Sequence, residues 1–390
     1  MSNFVPPLIG RRKFLEYAGK GALALGLRRA ALPLIATGCG LDIEAIGETP
    51  LGERAEKKGL LFGTAVRHGS LDNLKYRDAI AADCNVVFPE TQLFWRHLEI
   101  APGFLNFRDA DIVAEFAHAN NIAFMGNTVL WYFSPPSWLR EFLADETKDP
   151  RNLLIKHVRD VVGHYAGNTH SWIVVNEPIH PPHLRADGLR VSSMLNAIGP
   201  EYIELAYRTA AEADPDALLV LNELGLHTDR PYSDKKRRHL LILLEGLLKK
   251  DVPLHALGLQ GHLYPGKEDA LNLSAFRRFC RDVADLGLKI MVTELDVRDS
   301  KIPGTIEQRD VAVADAYRAY LDVVLEQPAT ISVLTWGLSD KYSWLQNHFP
   351  RADGQMVRST PYDSEIEKKL AWYAIASAID NAAPRPTPDP

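Results

Sequence analysis
Ser171-Trp172-Ile173-Val174-Val175-Asn176-Glu177 and Lys289-Ile290-Met291-Val292-Thr293-Glu294-Leu295-Asp296 share one pattern. Each is a short β-branched run that ends on a carboxylate, the signature of a buried strand with an acid at its C-terminal end. A buried carboxylate without partners is costly, so neighbours must hold each one. Asn176 stands before Glu177 and Asp296 follows Glu294, which supplies candidates on the spot.

Working outward, the same alternation recurs from Leu60 onward. Strands are expected at Leu60 to Val66, Val86 to Glu90, Ile122 to Leu130, Trp172 to Glu177, Leu218 to Glu223, Ala256 to His262, Ile290 to Asp296 and Thr330 to Gly337. Amphipathic runs separate them, including Leu153 to Tyr165, Lys235 to Lys250 and Glu307 to Glu326. Ser274 reads as the cap of the sixth helix, and Ser364 as the start of the last, which ends near Ile379. Strands separated by helices pair in parallel through right-handed crossovers. Eight such units over about 320 residues predict an α/β fold, a closed (β/α)8 TIM barrel in a single catalytic domain. A doubly wound open sheet is the alternative, but no Gly-rich phosphate loop follows an early strand.

The expected organisation is an export signal over 1–39, a linker over 40–59, the barrel over 60–380 and a flexible tail over 381–390. Gly10-Arg11-Arg12-Lys13-Phe14-Leu15 has the twin-arginine form and precedes a weakly apolar stretch from Ala18 to Ala36, broken by Arg28 and Arg29. Ala36-Thr37-Gly38-Cys39-Gly40 is similar to a lipoprotein cleavage box, so Cys39 is a candidate for a lipid anchor; simple cleavage and release is the alternative. Export to the periplasm, the membrane surface or the exterior is the expectation.

A net charge of -6 argues against a nucleic-acid partner. Three cysteines, Cys39, Cys84 and Cys280, make no disulfide framework. No apolar run is long enough for a membrane-spanning helix. His180-Pro181-Pro182-His183 has prolines that argue for a loop rather than a metal site. Lys235-Lys236-Arg237-Arg238 reads as a solvated helix start. No metal or cofactor is expected, and a monomer is.

In such barrels the site lies at the C-terminal strand ends. There the sequence gathers Glu90, Asn127, Asn176, Glu177, Asn222, Glu223, Gln260, His262, Glu294, Asp296 and Trp336, with Trp95, Trp131, Trp138 and Trp344 nearby. Carboxylates and amides suit vicinal hydroxyls, and indole faces suit pyranose rings, so a polysaccharide or oligosaccharide is the expected partner.

These strand ends resemble glycoside hydrolase family 10, the endo-β-1,4-xylanases and relatives, over about Gly63 to Ile379. Trp172 to Glu177 is similar to W-D-V-V-N-E, Gly258 to Leu263 to G-L-Q-S-H-L, Val292 to Asp296 to I-T-E-L-D, and Trp336 to Trp344 to W-G-V-S-D-K-Y-S-W. The resemblance implies a retaining glycoside hydrolase that cleaves β-1,4-xylosidic bonds by double displacement. It implies Glu177 as acid/base and Glu294 as nucleophile, their carboxyls about 5–5.5 Å apart. It further implies substrate binding by Glu90, Asn127, Trp131, Asn176, Gln260, His262, Trp336 and Trp344. Asn176 would also orient Glu294, and Asp296 would support His262 in keeping Glu294 ionised.

The chain departs from the pattern on one wall. P-E-N-E-M-K-W is here Pro89-Glu90-Thr91-Gln92-Leu93-Phe94-Trp95, so an asparagine has become Thr91 and a lysine Phe94. R-G-H-T-L-V-W-H is here Met125 to Tyr132, with Asn127 in place of the histidine. Two further readings follow: the same chemistry on a different β-glycan or aryl β-glycoside, and a non-catalytic sugar-binding lipoprotein. The last predicts loss of Glu177 or Glu294, and both are present.

Overall fold
The computed structural model describes residues 40–265 and 271–385. Eight parallel strands form a ring: β1 (Leu61–Val66), β2 (Val86–Pro89), β3 (Ala123–Gly126), β4 (Ser171–Asn176), β5 (Leu218–Glu223), β6 (Ala256–Leu259), β7 (Lys289–Val297) and β8 (Thr330–Thr335). Each pairs with the next, and β8 returns to β1 with Leu61 opposite Ser332. The (β/α)8 barrel is therefore closed.

Side chains alternate along each strand, so each strand feeds two cores. Phe88, Met125, Ile173, Val220, Met291 and Leu334 fill the barrel interior, capped by Trp336. Outward residues such as Trp172, Leu219, Leu257 and Val292 pack under the helices. Gly126 is required by this packing, since a Cβ there would lie 2.1 Å from the Trp172 ring.

Several boundaries differ from the sequence expectation. The third strand ends at Gly126, and Leu130–Trp131 then rejoins β4 as a separate two-residue pairing. Asn272, not Ser274, caps the sixth helix: its Oδ1 accepts from Ala275 N, and Leu273–Asp285 follows. The last helix is Leu370–Asn381. Ser364 lies in a turn in which the Asp363 carboxylate accepts from the amides of Glu365 and Glu367, competing with helix formation.

The expected linker, and residues 381–385 of the expected tail, are also corrected; 386–390 lie outside the described residues. Ile43–Ile46 and Leu51–Glu56 are helices, with Leu51 and Ala55 fully buried. Arg54 donates to Ile46 O at 2.6 Å and pairs with Asp380. At the other end, Arg385 donates to Thr330 O and Leu325 O, and its amide to Lys58 O. The polar composition of 40–59 looked like a tether because only one face of each short helix is apolar. Residues 381–385 looked free because the partners of Arg385 are carbonyls, which no side-chain pattern records. The export signal and Cys39 lie outside the described residues.

Candidate active site
The strand-end carboxylates are held by a chain of amides. Asn222, fully buried at the end of β5, donates to Glu294 Oε1 at 2.6 Å and to Asn176 Oδ1 at 2.9 Å. Gln260 donates to the same Asn176 oxygen at 3.2 Å and to Glu177 Oε1 at 3.1 Å. Glu177 and Glu294 are thus joined through Gln260, Asn176 and Asn222. The strands that carry them are irregular: the β4–β5 register shifts between Ile173 and Val175 and the β7–β8 register between Val292 and Leu295, and such irregularities re-aim side chains. Glu294 and Asp296 lie two apart and share a face of β7.

The two acids sit in different surroundings. Glu294 Oε2 is 3.1 Å from His262 Nε2, whose Nδ1 is 2.8 Å from Asp296. Trp344 Nε1 donates to the other Asp296 oxygen at 2.7 Å. Burial alone would depress the His262 pKa, but Asp296 and Glu294 outweigh it and hold the imidazole well above its ordinary value. The imidazolium then sits against Glu294. The nearest cation to the Glu177 carboxylate is Arg190, whose Nη2 lies 3.5 Å from Oε2. Burial, and then Glu223, push its carboxyl above the ordinary range, while Gln260, Arg190 and Lys236 oppose them. One carboxyl is therefore raised above its ordinary range and the other lies 3.1 Å from the imidazole of His262.

The sequence-derived residues are unequally assembled. Asn176, Glu177, Gln260, His262, Glu294, Asp296 and Trp344 form one hydrogen-bonded unit. Trp336 packs against it, 6.1 Å from the His262 ring. Glu90, Asn127 and Trp131 stand outside it. Both Glu90 oxygens are taken by Arg67, Nη2 to Oε1 at 2.7 Å, in place of an open sugar contact. Asn127 is buried, and its Nδ2 has no partner among the described residues. Trp131 packs edge-on against Phe94 at 5.1 Å and lines a cleft with Tyr132, Asn176, Glu177 and Arg190.

Two readings are corrected here. Asn222, rather than Asn176, is the amide on Glu294; Asn176 is its relay. The Lys235 to Arg238 run is only partly solvated. Lys236 reaches the fully buried Glu223 at 2.7 Å, and Arg237 is buried against Leu226 O and Thr228 O. Asn222 carried the same strand-end signal as Asn176, so that signal did not separate the two. Arg67, Arg190 and Lys236 come from loops and a helix start, where no periodicity marks an inward side chain.

A TIM barrel with paired carboxylates and amides at its C-terminal strand ends, walled by indoles, defines a carbohydrate-active enzyme. Residues 50–378 match the model of glycosyl hydrolase family 10. Endo-1,4-beta-xylanase B of Thermotoga neapolitana is 30% identical over 90% of this chain and 97% of that protein. Beta-1,4-xylanase of Dictyoglomus thermophilum is 30% identical over 86% of this chain and 93% of its own. The structure of xylanase 10B from Thermotoga petrophila in complex with xylobiose superposes with a TM-score of 0.76 at 30% identity, covering 86% of this chain and 98% of that one. The chain belongs to glycosyl hydrolase family 10 and is a glycosidase.

Proposed function
We propose that this glycosidase cleaves β-1,4-xylosidic bonds in xylan with retention of configuration. Glu177 is the acid/base and Glu294 the nucleophile. The observation that carries this reading is the asymmetry of the joined pair. Glu294 lies 3.1 Å from His262, which Asp296 and Glu294 hold well above its ordinary pKa, while burial and Glu223 raise the Glu177 carboxyl above its ordinary range. In the first step Glu294 Oε attacks the anomeric carbon, the glycosidic C–O bond breaks, and the Glu177 proton goes to the leaving oxygen. In the second, Glu177, now a carboxylate, takes a proton from water as that water displaces Glu294. Relatives with xylanase names at about this identity support the substrate.

Glu294→Ala tests the nucleophile by reducing-sugar release from xylan. Turnover should vanish, and a variant within tenfold of wild type would refute the assignment. Thr91, Phe94 and Asn127 favour a second substrate reading, another β-glycan or an aryl β-glycoside. Release from β-glucan or an aryl β-xyloside well above that from xylan would select it. We further propose a monomer exported by the twin-arginine segment, with Cys39 as the lipidated residue. Mass spectrometry of the processed N-terminus tests export, and a mature chain that begins at Met1 or Ser2 would refute it.

A further inference from the structure
Glu177 occupies a backbone conformation that side chains avoid. Its φ is 57°, in the left-handed region, which a non-glycine residue holds only where neighbours fix it. Two groups grip its main chain. The Glu177 amide donates to Asn222 O at 2.8 Å, and Arg190 Nε donates to the Glu177 carbonyl at 2.7 Å. The same guanidinium places Nη2 3.5 Å from Glu177 Oε2, the oxygen that Gln260 leaves open. Arg190 is buried and lies 4.0 Å over the Tyr132 ring. Its own amide is tied to Pro178 O at 2.7 Å, which closes the loop on itself.

We propose that Arg190 is the positioning residue for Glu177, holding its backbone and setting the pH at which it passes from acid to base. The inference rests on the acid/base reading of Glu177. Oε2 is the oxygen that faces the cleft cation, so the charge favours the anion needed in the second step. Burial and Glu223 favour the protonated form needed in the first. The other groups that face Glu177 are Lys236, paired to Glu223, and Gln260. Glu294, with His262 beside it, is joined to Glu177 through Asn222, Asn176 and Gln260, and Tyr132 and Tyr202 line the cleft. His180, pushed down to about 4 by burial and then by Arg190, stays neutral near pH 7 and adds no competing charge.

The test is the pH dependence of kcat for Arg190→Gln and Arg190→Lys on aryl β-xylosides with a poor (phenyl) and an activated (dinitrophenyl) leaving group. Arg190→Gln removes the charge. The alkaline limb for the poor leaving group should rise by about one pH unit, the effect of a nearby opposite charge. Its kcat should fall about tenfold with KM little changed, and far less for formation of the covalent intermediate from the activated substrate. Arg190→Lys keeps the charge but loses the planar fork on the carbonyl. The limb should stay within a few tenths of a unit while kcat falls about fivefold or more. An unmoved limb in Arg190→Gln overturns the inference. So does wild-type kcat in Arg190→Lys, which decides the matter should Arg190→Gln not fold. Glu177→Ala separates the two levels. If azide restores its turnover of the activated substrate while Arg190→Gln shows an unmoved limb, only the role of Arg190 fails. If azide has no effect and the dependence on leaving group matches wild type, the acid/base reading itself fails.

Discussion

Asn222→Ala is the sharpest single perturbation of the amide chain. Asn222 is fully buried, so the substitution acts through the groups that Asn222 holds. It removes three hydrogen bonds: to Glu294 at 2.6 Å, to Asn176 at 2.9 Å, and from Thr293 Oγ1 at 2.7 Å. The first is charge-assisted and contributes about 1.5–3 kcal/mol, and the others about 0.5–1.5 kcal/mol each. A stability loss of about 2.5–6 kcal/mol is expected. The catalytic loss comes from Glu294, which keeps His262 on one oxygen but loses the donor that fixes the other. Removal of one preorganised donor costs about 10²–10³ in kcat. KM should move little. Thermal melting together with steady-state kinetics on an aryl β-xyloside reads both effects. A variant with kcat within about threefold of wild type would show that Asn222 does not orient the nucleophile.

Three further outcomes are expected. Glu177→Gln should stabilise the protein increasingly as pH rises from about 4.5 to neutrality. The native pKa of Glu177 is raised, so the wild type loses stability as pH climbs through it, and an amide does not; equal melting differences at both pH values would count against this. Asp296→Asn should lower the melting temperature most below about pH 6.5. The raised His262 pKa contributes stability there, and that contribution is lost as pH rises through the folded value. Leu51→Ala should cost about 2–5 kcal/mol by denaturant unfolding, because Leu51 is fully buried; a neutral result would return residues 40–59 to the status of a tether.

The barrel was legible because its strands are short β-branched runs with a polar residue at the C-terminal end, and both features are local. Glu177, Glu294, His262 and Asp296 could be found for the same reason. What escaped the sequence depends on chain reversal. Arg190 enters the cleft from a loop pinned by the Ile179–Leu189 bridge, and Arg67 follows β1 before folding onto Glu90. The exact amide on Glu294 escaped for a different reason. Asn176 and Asn222 carry the same signal, and only the β4–β5 register, which sets them opposite each other, decides which one reaches across. The helices at 43–56 were hidden by their length, since one turn cannot display a period.

The charges around the site explain why two buried glutamates on one amide chain behave differently. Glu90 is matched by Arg67 at 2.7 Å and Glu223 by Lys236 at 2.7 Å. Glu294 and Asp296 share His262 at 3.1 and 2.8 Å. Glu177 has its cation at 3.5 Å, beyond a close ion pair, and a second carboxylate, Glu223, within electrostatic reach. Burial and Glu223 raise the Glu177 carboxyl despite Arg190 at 3.5 Å, just as burial raises that of Glu90 despite Arg67. The proposed assignment of acid/base to Glu177 and nucleophile to Glu294 is supported by the raised Glu177 carboxyl and by His262 beside Glu294, as well as by strand position. It also sets a limit on redesign. Moving Arg190 closer to Oε2 should acidify Glu177 and favour the second step at the expense of the first, visible as a larger loss on substrates with poor leaving groups than on activated ones.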